Sequence, residues 1–271
     1  MEQNDALKTL FPLKQAPLVQ CITNEITCES MANALLYIGA KPIMADDTRE
    51  FEQLFKQTDA LLINLGHLSE KRQESMIEAS RYARVVSKPS VVDLVGYGVS
   101  DIRNQVSLSI VENQPTVVKG NTSELRKFCQ LASRGRGVDG DTLDQKEASL
   151  NELIDALKEI SKDYSNTVFL ATGPKDVVVS GERVALLSNG VEELDRFTGT
   201  GDIVGALIAA LLGDGQEPFD AVIGAVSYFN LCGEKAKIKS EGLAEFRFQT
   251  LNHLSLLMAE NWVESVKGRE Q

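Results

Sequence analysis

Through its first half the chain alternates strand-length apolar runs with amphipathic stretches of helical period, and this rhythm limits the fold more than any other feature. Pro17 to Thr23, Lys41 to Met44, Ala60 to Gly66, Ser90 to Asp93 and Thr116 to Lys119 read as strands. Cys28 to Ile38, Thr48 to Gln57 and Ser69 to about Val86 read as the helices between them. Gly39 stops the first of these, and Ser69 caps the last, with Glu70 and Glu74 favourably placed in its early turns. A repeated βα unit predicts a mainly parallel central sheet with helices on both faces.

The rhythm changes after residue 130. Ser133 to Asp144 (SRGRGVDGDTLD) is rich in Gly, Arg and Asp, so it reads as a surface loop or lid, followed by a helix from about Lys146 to Lys162. Val168 to Thr172 reads as a strand. Asp176 to Ser180 and Arg183 to Ser188, joined at Gly181-Glu182, read as an antiparallel hairpin closing one sheet edge. From Gly201 onward the pattern is helical, broken near Gly213 to Pro218 and near Ser240 to Gly242. With no internal repeat, linker or composition break, the expectation is one α/β domain over residues 1–271.

A chain of 271 residues buries a sizeable core without staples. Its 39 acidic residues outweigh 28 basic ones, leaving −11, which excludes a general nucleic-acid binder and disfavours anionic lipid. Four cysteines without finger spacing and two histidines argue against a structural zinc site and for a reduced, cytoplasmic protein. The start of the chain carries Glu2 and Asp5 and no cleavable apolar segment, and no run approaches the roughly 20 apolar residues of a membrane span. The partners to expect are small molecules and copies of the chain itself.

Chemistry concentrates in a few strand ends and one glycine turn. Phe197-Thr198-Gly199-Thr200-Gly201-Asp202 precedes the apolar helix IVGALIAALL. Unpaired amides at a helix start, approached closely through glycine, cradle an anion such as a phosphoryl group. Asp202 there can take a proton from an alcohol; the competing reading is a helix cap. Asp93, before Gly96 and Gly98, and Glu124, after Gly120, stand at strand ends and can hold Mg²⁺ directly or through water; a loop acid and a first-turn charge are the competing readings. Lys119 can meet a phosphate as a point charge or be merely solvated, and Thr172 can bond a phosphate or be structural.

Together these segments resemble the hydroxyethylthiazole kinase family, a branch of the ribokinase-like superfamily. The likeness runs through QCITNEITCESMANALLYIGAKPIMA (20–45), NLGHL (64–68), VVDLVGYG (91–98), VVKGNTSEL (117–125), ATGPKDVVVSG (171–181), FTGTGD (197–202) and EGLAEFRFQTLNHL (241–254). It implies a three-layer ribokinase-like fold and transfer of the γ-phosphoryl group of ATP, with Mg²⁺, to the alcohol of 4-methyl-5-(2-hydroxyethyl)thiazole. It also implies a homotrimer with sites between subunits. By resemblance, Asn24, Met44, Gly66 and Gly199 fall at thiazole positions, Lys119, Thr172 and Gly201 at ATP positions, Asp93 and Glu124 at the metal, and Asp202 at the catalytic position. Asp202 stands where many of the family have Cys, Leu94 replaces a proline, and Lys119 replaces an arginine, losing its bidentate fork. The alternatives are an ATP-dependent NAD(P)H-hydrate dehydratase, a related vitamin-precursor alcohol kinase, and a nucleotide-binding oligomer without turnover. The N-terminal block speaks against the first two, and the presence of Gly199, Gly201 and Asp202 against the third.

Overall fold

The computed structural model describes residues 2–133 and 146–270. After helix α1 (Glu2–Leu7) the chain runs β1 (Leu18–Ile22), α2 (Cys28–Tyr37), β2 (Lys41–Met44), α3 (Phe51–Gln57), β3 (Ala60–Asn64), α4 (Glu70–Val85), β4 (Ser90–Asp93), α5 (Asp101–Val111), β5 (Val117–Asn121) and α6 (Thr122–Phe128). The second half runs α7 (Glu147–Ser161), β6 (Val168–Thr172), β7 (Asp176–Ser180), β8 (Arg183–Leu187), α8 (Thr200–Gly213), α9 (Pro218–Lys239), α10 (Leu243–Leu256) and β9 (Gly268–Glu270). The strands form one sheet in the order β2-β1-β3-β4-β5-β6-β7-β8-β9. Pairing is parallel from β2 to β6 and antiparallel from β6 to β9.

Alternation along each strand builds two cores. Leu62 and Val91 point into a core with α2, α8 and α9, while Leu61, Ile63 and Val92 point into another with α3 to α7. Three layers result. α8 is buried from Ile203 to Leu212, since α2 and α9 cover it on one side and β1, β3 and β4 on the other. That explains an apolar helix without a polar stripe. Among the described residues no helix is long and apolar enough to cross a membrane.

Element boundaries fall close to those expected, with three differences. Thr48–Gln57 divides into a 3₁₀ turn, Thr48–Glu50, and α3, because Asp47 caps the turn by accepting from the Arg49 amide. The hairpin β7–β8 does not end the sheet: β9 pairs antiparallel with β8, held by Asn189 Oδ1 accepting from the Lys267 amide at 2.6 Å. A three-residue Gly-Arg-Glu strand has no apolar alternation to announce it. Helix α1 likewise was not expected. The glycine- and arginine-rich stretch from 134 to 144 lies outside the described residues.

Candidate active site

Strand register lines the expected residues along the carboxyl edge of the sheet. Met44 pairs with Cys21 on β1, three residues before Asn24; Asn64 pairs with Asp93, Asp93 with Lys119, and Asn121 with Thr172. Ligands of open α/β sheets bind outside this edge. The N-terminus of α8 lies over its centre. Gly199 adopts φ +100°, and a Cβ on it would stand 2.7 Å from Thr27 Cγ2, so both backbone and space require glycine. Gly201 lies over Lys119: a Cβ there would stand 3.5 Å from Lys119 Nζ, an ordinary contact, so the strict requirement for glycine falls on Gly199.

Asp202 accepts no hydrogen bond from the helix it opens, which removes the helix-cap reading. Its Oδ2 accepts from Asn24 Nδ2 at 2.9 Å and from the Thr27 hydroxyl, and its Oδ1 accepts from Asn64 Nδ2 at 2.9 Å. The Thr27 hydroxyl also lies 3.1 Å from Asn24 Oδ1, but its one proton goes to the nearer, charged acceptor. Asn24 Oδ1 accepts from the amides of Ile26 and Thr27, both at 3.0 Å, so the loop after β1 folds around its own side chain. With both Nδ2 hydrogens directed to Asp202 and Asn64, Asn24 acts on the carboxylate's geometry.

Lys119 is buried rather than solvated. Its Nζ donates to Asp93 Oδ2 at 2.7 Å, and the two side chains are 2% and 3% exposed. Burial pushes the Asp93 carboxyl above its ordinary range and the neighbouring Asp202 charge adds to this, while the Lys119 ammonium opposes it. Asn64 Nδ2 also donates to Asp93 Oδ2, at 3.2 Å, so Oδ1 is the oxygen open to a cation. Glu124 closes a capping box: Oε2 accepts from the Asn121 amide at 2.7 Å, and the Glu124 amide donates to Asn121 Oδ1 at 2.8 Å. Its Oε1 accepts from the Gly96 amide at 2.7 Å, tying the loop after β4 to the start of α6. Burial, with Asp93 nearby, pushes the Glu124 carboxyl up to about 7. The first-turn reading of Glu124 therefore describes its protein contacts, and each oxygen keeps a second lone pair.

Among the described residues no three His, Cys, Asp or Glu side chains form a metal cluster. The donors present, Asp93 Oδ1 and an amide-oriented Glu124, fit Mg²⁺, which is held by one or two carboxylates, water and substrate phosphates. Gly66 is fixed by its amide donating to Asn64 Oδ1 at 2.9 Å, and a Cβ there would meet that oxygen at 2.8 Å. Thr172 is half-buried at the end of β6, its hydroxyl 3.4 Å from the Gly120 carbonyl. Met44 is half-buried at the end of edge strand β2 and packs on the core, outside the hydrogen-bonded network.

Sequence reasoning overlooked Asn64 and Thr27. Asn64 had a signal: the run ALLIN ends on an amide, a polar group closing a fully buried strand. Thr27 had none, since its partner is 175 residues away. Asp176 was read only as the start of a strand. It is buried, accepts from the Gly173 amide at 3.0 Å and Asn230 Nδ2 at 2.9 Å, and burial pushes its carboxyl to about 7. It thereby holds the turn that follows Thr172.

The class follows from the fold and from where the glycine turn sits over it: the chain is a small-molecule kinase with the ribokinase-like fold. A solved structure of the Staphylococcus aureus pyridoxal kinase with ADP matches with a TM-score of 0.59 over 82% of this chain and 88% of that one, at 14% identity, a likeness of fold alone. The model of the hydroxyethylthiazole kinase family matches residues 12–260, and the chain belongs to that family. A hydroxyethylthiazole kinase of Enterococcus faecalis is 66% identical over 270 residues, covering 99% of each chain. The structure of the hydroxyethylthiazole kinase protein from Pyrococcus horikoshii matches with a TM-score of 0.86 and 32% identity over 100% of both chains.

Proposed function

We propose that Asp202 is the base with which this hydroxyethylthiazole kinase transfers the γ-phosphoryl group of ATP to its substrate's hydroxyethyl alcohol, the phosphorylation of thiamine salvage. The observation that carries the assignment is the fixing of both Asp202 oxygens by Asn24, Thr27 and Asn64 beside the glycine turn. The alcohol oxygen attacks the γ-phosphorus and loses its proton to Asp202, while the bond from phosphorus to the β–γ bridging oxygen breaks and ADP leaves. Transfer of this kind rests on positioning and electrostatics. Amides at the start of α8 receive the phosphoryl oxygens, and the Lys119 charge beneath Gly201 reinforces them. Thr172 and Gly201 contact ATP; Met44, Gly66 and Gly199 line the thiazole side. Asp93 and Glu124 would hold Mg²⁺, which neutralises triphosphate charge when bound.

The same reading extends to the assembly. β2, half-buried at the sheet edge, and the exposed apolar Ile26 and Phe248 (82% and 70%) support a homotrimer with sites between subunits. Four free cysteines are in keeping with the cytoplasm, and one sheet holding strands from residue 18 to 270 with a single domain.

Asp202→Ala tests the assignment. A positioned base contributes about 10²–10⁴-fold, so kcat should fall by that factor while KM for ATP changes little, because the backbone amides remain. Near-normal kcat in a folded Ala variant would remove Asp202 from the chemistry.

A further inference from the structure

Asn64 is fully buried at the end of β3, and all of its hydrogen-bonding capacity is spent. Its Oδ1 accepts from the Gly66 amide at 2.9 Å and Asn24 Nδ2 at 3.2 Å; its Nδ2 donates to Asp202 Oδ1 at 2.9 Å and Asp93 Oδ2 at 3.2 Å. An amide is the side chain whose two ends offer two acceptor sites and two donors. Turning it over would aim its hydrogens at the Gly66 and Asn24 donors and its oxygen at two carboxylates. The orientation is therefore fixed from four sides.

We propose that Asn64 is a positioning residue for phosphoryl transfer: its amide separates the Asp93 and Asp202 carboxylates and aims Asp202 at the alcohol. The inference rests on Asp202 being the base. Without Asn64, Oδ1 of Asp202 loses its one protein donor, while Asn24 and Thr27 still hold Oδ2. The carboxylate can then rotate about a single anchored oxygen, and the alcohol proton meets a less well-placed acceptor. Asn64 touches Gly66 only through Oδ1, so donor and acceptor roles can be separated by substitution.

Asn64→Asp keeps the size and the acceptor for Gly66 and removes the donor. A hydrogen bond to a charged group supports an expected fall in kcat of about 10- to 100-fold, with KM for both substrates within about threefold. Asn64→Ser, which adds no charge, should also lower kcat, its short hydroxyl being unable to serve both carboxylates, and it decides the case if the Asp variant does not fold. The decisive comparison is Asn64→Ser with and without Asp202→Ala. Acting through Asp202, the serine substitution should cost nothing further in the Ala background; if the two losses multiply, Asn64 works elsewhere and the proposal falls. Unchanged kcat in Asn64→Ser, or a loss confined to KM or melting temperature, also overturns it. Failure of the base assignment looks different, since Asp202→Ala alone would then retain kcat.

Discussion

Asp93 and Lys119 meet at 2.7 Å in a place almost without solvent, an arrangement that is costly to build and more costly to break. Lys119→Met leaves the Asp93 carboxylate buried beside Asn64 with its counter-charge gone. A broken buried pair costs about 3–5 kcal/mol, which a thermal melt reads as a lower Tm. Adding Asp93→Asn removes the stranded charge while keeping an oxygen for Asn64, so the double variant should recover most of that loss. Activity should stay lost, because the positive charge under the first turn of α8 and the carboxylate proposed for Mg²⁺ are both gone. A double variant as unstable as Lys119→Met would show that the lysine's packing, not its charge, supports the edge. Regained turnover would take Lys119 out of phosphate binding. Lysine serves here as a point charge: Nζ donates to the Asp93 carboxylate and stands below Gly201.

The elements were legible wherever period and length agreed. β3 reads as a strand because ALLI is apolar throughout up to its closing Asn64, and α4 as a helix because Ser69 caps it, accepting from the Arg72 amide. The glycine turn was legible as a helix start for the same local reason: glycines and the apolar run of α8 are consecutive in sequence. Side-chain pairing was not, because Asn64 and Asp202 are 138 residues apart and only the sheet brings them together. Glu124 shows the same limit: its place at a strand end was readable, its two backbone donors were not. The turn before α8 joins what was legible to what was not. Gly199→Ala would hold alanine at φ +100° and drive its Cβ toward Thr27 Cγ2. Strain of this kind costs about 1–3 kcal/mol. Relief by displacing Thr27 removes a donor from Asp202, so kcat should fall together with Tm. A variant that loses stability but keeps kcat would mean that Thr27 and Asp202 do not depend on the turn's geometry.

At the scale of the molecule, the carboxyl edge divides by register into two sides. β1, β2 and β3 carry Asn24, Met44 and Gly66 near their ends, β5 and β6 carry Lys119 and Thr172, and Asp93 and Asp202 lie between. The side proposed for the nucleotide runs into the continuing sheet at β7. The side proposed for the alcohol stops at β2, an edge strand whose residues are exposed or half-buried. Ile26, just before α2, and Phe248 on α10, next to the Arg247 that donates to Ser30 Oγ at 2.9 Å, are exposed apolar side chains. A second copy seated there would complete the thiazole side, and in a trimer each site would then combine Met44 of one chain with Asp202 of its neighbour. Complementation measures this. Met44→Arg should abolish turnover by placing a charge on the thiazole side, and Asp202→Ala by removing the base. In trimers mixed from the two, some sites pair an intact Met44 with an intact Asp202, so activity should return on subunit exchange, to an extent set by the mixing ratio. Exchange demonstrated by mass spectrometry without any return of activity would place both residues in one chain's site, and the open edge at β2 would then serve assembly alone.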